Sequence, residues 1–88
     1  MFNYKLIRLA YKHGRAFGYR YVFENPDFTK NELLDAIRVS ILKKDVFKGL
    51  DRIAEAQARE AADHVMHVHF IGKIPEVIKS PQGQFPAI

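Results

Sequence analysis

The chain has 88 residues, a formal net charge of +4, four histidines and no cysteine. This length provides for one small domain, and 48% hydrophobic with 27% charged residues is typical of a globular rather than a disordered chain. Without cysteine there is no disulfide, thiol nucleophile or thiolate metal site. No apolar run is long enough to span a bilayer and the N-terminus lacks a signal-peptide pattern, so we expect a cytoplasmic protein with no membrane partner.

Positive charge is concentrated in the first quarter of the sequence. Residues 24–63 contain nine acidic and seven basic residues, whereas residues 1–23 contain no acidic residue. This asymmetry predicts a surface that attracts phosphates or an acidic protein, although an ordinary solvated basic face is the alternative interpretation. The basic residues of the first quarter are Lys5, Arg8, Lys12, Arg15 and Arg20.

Residues 3–23 are predicted to form a β-hairpin. Period-two alternation of aromatic residues is typical of a half-buried strand, and Gly14 can provide the positive φ angle of a tight turn. A helix is the competing interpretation, because Ala10, Gly14 and Gly18 recur every four positions. Two glycines inside a helix would cost about 1 kcal/mol each, which favours the hairpin. The alternating aromatic residues are Phe17, Tyr19, Tyr21 and Phe23.

Two helices are predicted to follow the hairpin. Thr29 and Glu32 have the spacing of a capping box, in which each side chain accepts a hydrogen bond from the other residue's backbone N–H. The helix that follows contains an Asp35–Arg38 pair. Asp45 is predicted to cap a second helix of about 18 residues, which has an alanine-rich face and a pair of opposite charges at Glu55 and Arg59.

The last predicted strand covers residues 64–71, where the period changes again to two. The fold class predicted is therefore α+β: a three-stranded antiparallel sheet with both helices on one face, in the order β-β-α-α-β. A mostly α-helical fold is the alternative. We expect residues 1–74 to form one compact domain and residues 75–88, which contain three of the four prolines, to form a tail.

Catalytic and metal sites are weakly indicated. His67 and His69 would share one face of the predicted strand, and Asp63 or His13 could add a ligand, but a zinc site needs at least three protein ligands. We therefore predict no metal site and no cofactor. Ser40 and Ser80 have no nucleophile-elbow motif and no neighbouring histidine in the sequence. A chain this short also has little volume for a small-molecule cleft, so no enzyme and no small-molecule substrate are predicted.

The function predicted is that of a small, non-catalytic binding module. Its five basic residues would contact nucleic acid or a nucleic-acid-handling complex through the hairpin surface. Arg8, Lys12 and Arg20 would project from the open face, while most of the aromatic row would face the helices. The alternative is a regulator or inhibitor that binds a protein through a sheet edge, a helix face or the tail, where Phe85 and Ile88 would be anchors. A homodimer through the alanine-rich face or an unpaired edge is a special case.

Overall fold

A 21-residue helix, α1 (Tyr4–Glu24), occupies the segment predicted to be a hairpin. It is followed by α2 (Lys30–Leu42), a short 3-10 turn at Asp45–Phe47, and α3 (Asp51–Phe70). These elements come from a computed structural model that describes residues 4–72. Each α-helix packs against the other two, so the described residues form a three-helix bundle.

The β-hairpin prediction is wrong because the glycines of α1 serve close packing of helices. A Cβ atom on Gly14 would lie 2.9 Å from Cγ2 of Ile37, and one on Gly18 would lie 2.8 Å from Cγ2 of Val65. Neither glycine leaves room for a larger side chain, and Ala10, one turn earlier, is fully buried. The dispersion energy gained by this close approach offsets the intrinsic cost of glycine in a helix.

The helix also disperses the aromatic residues that were predicted to form one row. Phe17 and Tyr21, four positions apart, stack on the same side with ring centroids 6.2 Å apart. Tyr19 instead contacts α3, and Phe23 at the end of α1 is 47% exposed. No single aromatic surface results, so the sheet-core interpretation of this row is also wrong.

The capping box at the start of α2 is confirmed. The backbone N–H of Glu32 donates to Oγ1 of Thr29 over 3.1 Å, and the backbone N–H of Thr29 donates to Oε1 of Glu32 over 2.8 Å. The predicted ion pair between Arg38 and Asp35 is also present, at 3.3 Å. Leu33, Ile37 and Ile41 are the buried residues of α2.

The predicted boundaries of α3 are wrong at both ends. Asp45 begins a 3-10 turn, and Gly49, with a φ angle of 81°, separates that turn from α3. At the other end, the segment predicted as a strand continues the helix as far as Phe70. Buried alanines let the neighbouring helices approach α3 closely, and the predicted Glu55–Arg59 pair is present at 3.0 Å.

The predicted α+β class is therefore wrong, and the mostly α-helical alternative fits residues 4–72. There is no strand in this part of the chain, so it has no sheet face or edge for a partner to join. None of its helices is long and apolar enough to cross a membrane. The predicted domain boundary at residue 74 and the tail at residues 75–88 lie outside the described residues.

Candidate functional site

Four of the five predicted basic residues form a stripe on one face of α1. Lys5, Arg8, Lys12 and Arg15 are spaced by three, four and three positions, which places them within about 80° of the helix circumference. The first three are exposed, and Arg15 is half-buried. The stripe extends about 15 Å along the helix axis, at about 1.5 Å per residue. We call these four residues the basic stripe.

The cations of the basic stripe are not in ion-pair contact with any carboxylate of the described residues. None of its four residues forms an ion pair within residues 4–72, although other cations of the bundle do. The first turn of α1 has no acidic residue either. Four unpaired cations along one helix face produce a positive potential that is suited to an extended anion.

Arg20 does not belong to this stripe. Its position on the helix lies about 100° from the middle of the stripe, and its Nε forms an ion pair with Glu24 at 3.2 Å. The prediction that Arg20 shares an open face with Arg8 and Lys12 is therefore wrong. The other predicted partner-binding residues, Phe85 and Ile88, lie outside the described residues.

A groove between α1 and α3 runs beside the basic stripe. Its volume is about 650 Å³, which lies within the range of small-molecule sites. Cations line the α1 wall of the groove, and carboxylates line the α3 wall. The lining residues are Ile7, Arg8, Tyr11, Lys12, Arg15, Gln57, Glu60 and Asp63.

Gln57 is one of the residues of this groove that sequence analysis missed. It is 8% exposed, and its carboxamide has no hydrogen-bond partner among residues 4–72. On the buried face of α3 it stands between Ala54 and Ala58, which are fully buried. A long polar side chain within an otherwise apolar helix face is the signal that could have identified it.

Aromatic and histidine side chains hold one end of the groove in place. The Tyr19 hydroxyl and Nε2 of His64 are 2.7 Å apart, which joins α1 to α3. The Tyr11 ring meets the same imidazole edge-on, and the Arg15 guanidinium lies 5.2 Å from the Tyr11 ring centroid. Burial and the charge of Arg15 lower the pKa of His64, and burial raises the pKa of Tyr19.

A second groove, of about 670 Å³, lies on the surface where α1 meets α2, and a serine–histidine pair lines it. Nε2 of His13 lies 2.6 Å from Oγ of Ser40, a contact that sequence analysis missed because 27 positions separate the two residues. Nδ1 of His13 is fully buried and has no hydrogen-bond partner in the described part of the chain. Burial and the charge of Lys44 lower the pKa of this imidazole.

The tautomer of His13 decides what this pair can do. An unpaired buried N–H is rarer than an unpaired acceptor, which favours the tautomer in which Nε2 carries the proton and donates to Ser40. A catalytic pair needs the opposite tautomer, with Nδ1–H held by an acceptor such as a carboxylate. The contact therefore fits a structural hydrogen bond between α1 and α2.

The histidine geometry considered for a metal site does not exist. On α3, His67 and His69 are about 200° apart around the axis, so they do not share a face. His69 packs edge-on against Phe28, with ring centroids 5.2 Å apart, and His64 contacts α1. Residues 4–72 contain no group of three or more potential ligands close enough to hold a metal ion.

The alanine-rich face predicted as a dimer surface is occupied within the bundle. Ala54, Ala58 and Ala61 are fully buried, and Ala61 lies in the path of a Cβ atom on Gly14. This face packs against the chain's own helices and is not free for a second copy.

No protein-family model, curated protein or solved structure matches this chain.

Proposed function

We propose that this chain is a small, non-catalytic, cytoplasmic binding protein whose basic stripe contacts the phosphate backbone of nucleic acid. The observation that carries the proposal is the alignment of Lys5, Arg8, Lys12 and Arg15 on one face of α1, where none of them forms an ion pair within residues 4–72. Phosphates are the anions that occur in rows on the scale of this stripe, and lysine and arginine bind them in most nucleic-acid complexes.

The contact is expected to depend steeply on salt, because binding releases counterions from the nucleic acid. Four neutralised phosphates predict a log–log slope of about −3 for single strands and about −3.6 for duplex DNA. Fluorescence anisotropy with labelled oligonucleotides, repeated at several salt concentrations, measures this slope. Absence of binding at micromolar protein and low salt, with the fold intact, would refute the proposal.

A pair of charge-matched double variants tests whether the stripe makes the contact. Arg8→Gln with Lys12→Gln removes two stripe charges, so it should weaken binding to unrelated sequences equally. The salt dependence should become shallower by the amount expected for the loss of about two phosphate contacts. Lys43→Gln with Lys48→Gln removes the same net charge from exposed positions outside α1. This control should retain most of the slope, whereas equal losses in both variants would mean that only net charge matters.

A protein partner with an acidic surface is the second candidate. It is favoured by the exposure of two large apolar residues at the end of α3, Phe70 at 77% and Ile71 at 53%. In that case the stripe variants would mainly slow association, and a Phe70→Ala variant would speed dissociation. Affinity capture with and without nuclease separates the two candidates, because only nucleic-acid-mediated capture is lost after nuclease treatment.

A further inference from the structure

The groove between α1 and α3 combines groups of three kinds within one cleft. Cations of the basic stripe form one wall, the Tyr11 ring lies beside them, and carboxylates form the other wall. Gln57, on α3, also lines this cleft. This combination matches the parts of a nucleotide: a phosphate, a flat ring, and a ring edge that carries hydrogen-bond donors and acceptors.

Gln57 supplies the groove with hydrogen-bonding groups that no residue of the described bundle uses. More than nine-tenths of this residue is buried, and its carboxamide forms no hydrogen bond within the described bundle. Neither polar atom of the carboxamide is among the fully buried, unpaired atoms of residues 4–72, so both atoms keep some contact with solvent and are accessible to a ligand in the groove. The carboxamide oxygen and NH₂ group can together pair with one acceptor and one donor on a ligand edge, as adenine presents at N7 and N6.

The opposite charges of the two walls give a ligand one orientation. Arg8 and Lys12 attract phosphate on the α1 side. On the α3 side, Asp63 forms an ion pair with Lys30 at 3.0 Å, whereas Glu60 has no ion pair within residues 4–72. A free carboxylate accepts hydrogen bonds only, so Glu60 favours a base with an amino group over one with a carbonyl group at that edge.

The aromatic part of the site is already ordered. Arg15 lies over the Tyr11 ring, and His64 meets the same ring edge-on while it is hydrogen-bonded to Tyr19. These contacts hold Tyr11 at the groove in one orientation, so little side-chain freedom remains to be lost when a base packs against it.

We propose that the groove between α1 and α3 receives one unstacked base of single-stranded nucleic acid, with adenine preferred over thymine or uracil. This inference rests on the proposed function, since the basic stripe holds the backbone from which the base enters. A duplex keeps its bases stacked and paired, and a flipped base requires that stack to be opened. The groove therefore adds affinity for single strands beyond the phosphate contacts.

The test compares four labelled ligands by fluorescence anisotropy on the full chain. They are oligo-dA, oligo-dT, an abasic strand and a duplex, each of about twelve nucleotides. We expect oligo-dA to bind about tenfold more tightly than oligo-dT, as one bidentate base contact predicts, and the abasic strand to bind least tightly among the single strands. Equal binding of oligo-dA and the abasic strand, or equal binding of duplex and oligo-dA, would overturn the inference.

Variants assign the preference to the groove. Gln57→Met retains the length of the side chain and removes its hydrogen bonds, so the ratio of oligo-dA to oligo-dT affinity should fall to about one. Lys5 lies outside the groove lining, so Lys5→Gln should lower the affinity for every strand and preserve the ratio of oligo-dA to oligo-dT affinity. Lys48→Gln should change neither the affinities nor the ratio. A ratio that survives in a folded Gln57→Met protein would contradict the inference.

A measurement on the unaltered protein covers the case in which Gln57→Met does not fold. The side-chain NH₂ resonances of Gln57, observed by NMR, should shift on titration with oligo-dA and remain in place with the abasic strand. Unchanged resonances at saturation with oligo-dA would refute the base site. Binding of every strand with no base preference leaves the proposed function standing, whereas no binding to any strand removes both proposals.

Discussion

The Tyr19 hydroxyl lies 2.7 Å from Nε2 of His64, and this bond joins the middle of α3 to the helix that carries the basic stripe. The two residues are 45 positions apart in the sequence. His64 also meets the Tyr11 ring beneath the Arg15 guanidinium. One interhelical hydrogen bond therefore supports both the packing of α1 on α3 and the aromatic side of the groove.

Loss of this bond should be measurable as a loss of stability. Tyr19→Phe removes the hydroxyl and leaves the His64 nitrogen without its partner, so the free energy of unfolding should decrease by about 1 kcal/mol. Tyr21→Phe is the matched control, because Tyr21 is also half-buried and its hydroxyl has no hydrogen-bond partner within residues 4–72. Urea denaturation of both variants checks the prediction, and equal losses would contradict it.

The stability of the bundle should decrease in mild acid. Burial is the largest cause that lowers the pKa of both His13 and His64 below the usual 6.5. The unfolded chain therefore binds protons more readily than the folded chain once the pH falls below that value. The stabilisation is fully present above about pH 6.5 and is lost progressively as the pH falls toward the lowered pKa values.

Urea denaturation between about pH 8 and about pH 5 measures this dependence, since ordinary carboxylates titrate mainly below that range. The double variant His13→Gln with His64→Gln keeps a hydrogen-bonding side chain at each position and removes both titrations. Its stability should vary less over this range than that of the unaltered protein. If both proteins show the same pH dependence, these two histidines are not its cause.

The capping box of α2 gives a stability prediction that the sequence and the structure share. Thr29→Ala removes the acceptor for the Glu32 backbone N–H and should lower the free energy of unfolding by about 1 kcal/mol. Thr29→Ser retains the hydroxyl, so its free energy of unfolding should decrease much less. A Thr29→Ala protein as stable as the original in urea would show that this cap contributes nothing to the fold.

Local signals along α2 could be read from the sequence because they lie within one turn of the helix. The Thr29–Glu32 box and the Asp35–Arg38 pair involve residues three positions apart, and the structure contains both. The start of α3 was misplaced because Asp45 resembles a helix cap and only the backbone at Gly49 shows where the turn ends. That distinction depends on how the turn packs, which local spacing does not specify.

The errors in α1 arose because one sequence satisfied two patterns. Aromatic residues at every second position indicated a strand, whereas Ala10, Gly14 and Gly18 at every fourth position indicated a helix. Counting only the intrinsic cost of glycine favoured the strand. The energy that decides between them comes from Ile37 and Val65, which approach the glycines from other helices and are distant in the sequence.

The charge of the basic stripe could be read from the sequence, but the arrangement of its residues could not. Their charge excess is a property of composition, whereas their alignment on one face requires the helical period of 3.6 residues. The groove beside them depends on the pairing of α1 with α3, so no local pattern could place Gln57 in the same groove as Arg8. The Ser40–His13 contact escaped prediction for the same reason.

The close packing of Gly18 on Val65 leads to a prediction in which one substitution has opposite effects in two backgrounds. Gly18→Ala places a Cβ atom 2.8 Å from Cγ2 of Val65. Overpacking of this kind costs about 1–3 kcal/mol, and the higher helix propensity of alanine returns about 1 kcal/mol. In the otherwise unaltered protein, the net effect should be a loss of about 1 kcal/mol.

In a Val65→Ala background the nearest methyl group is absent, and Cδ1 of Ile37, which lies 3.0 Å from the new Cβ atom at the end of a flexible side chain, can move into the cavity that remains. Gly18→Ala should then stabilise the protein by about 1 kcal/mol, because the propensity gain remains and the new methyl group fills part of the cavity. Urea denaturation of the four proteins of this double-mutant cycle gives both effects. The same effect of Gly18→Ala in both backgrounds would mean that α1 and α3 are not in close contact there, whereas a change of sign establishes the packing on which the groove between them depends.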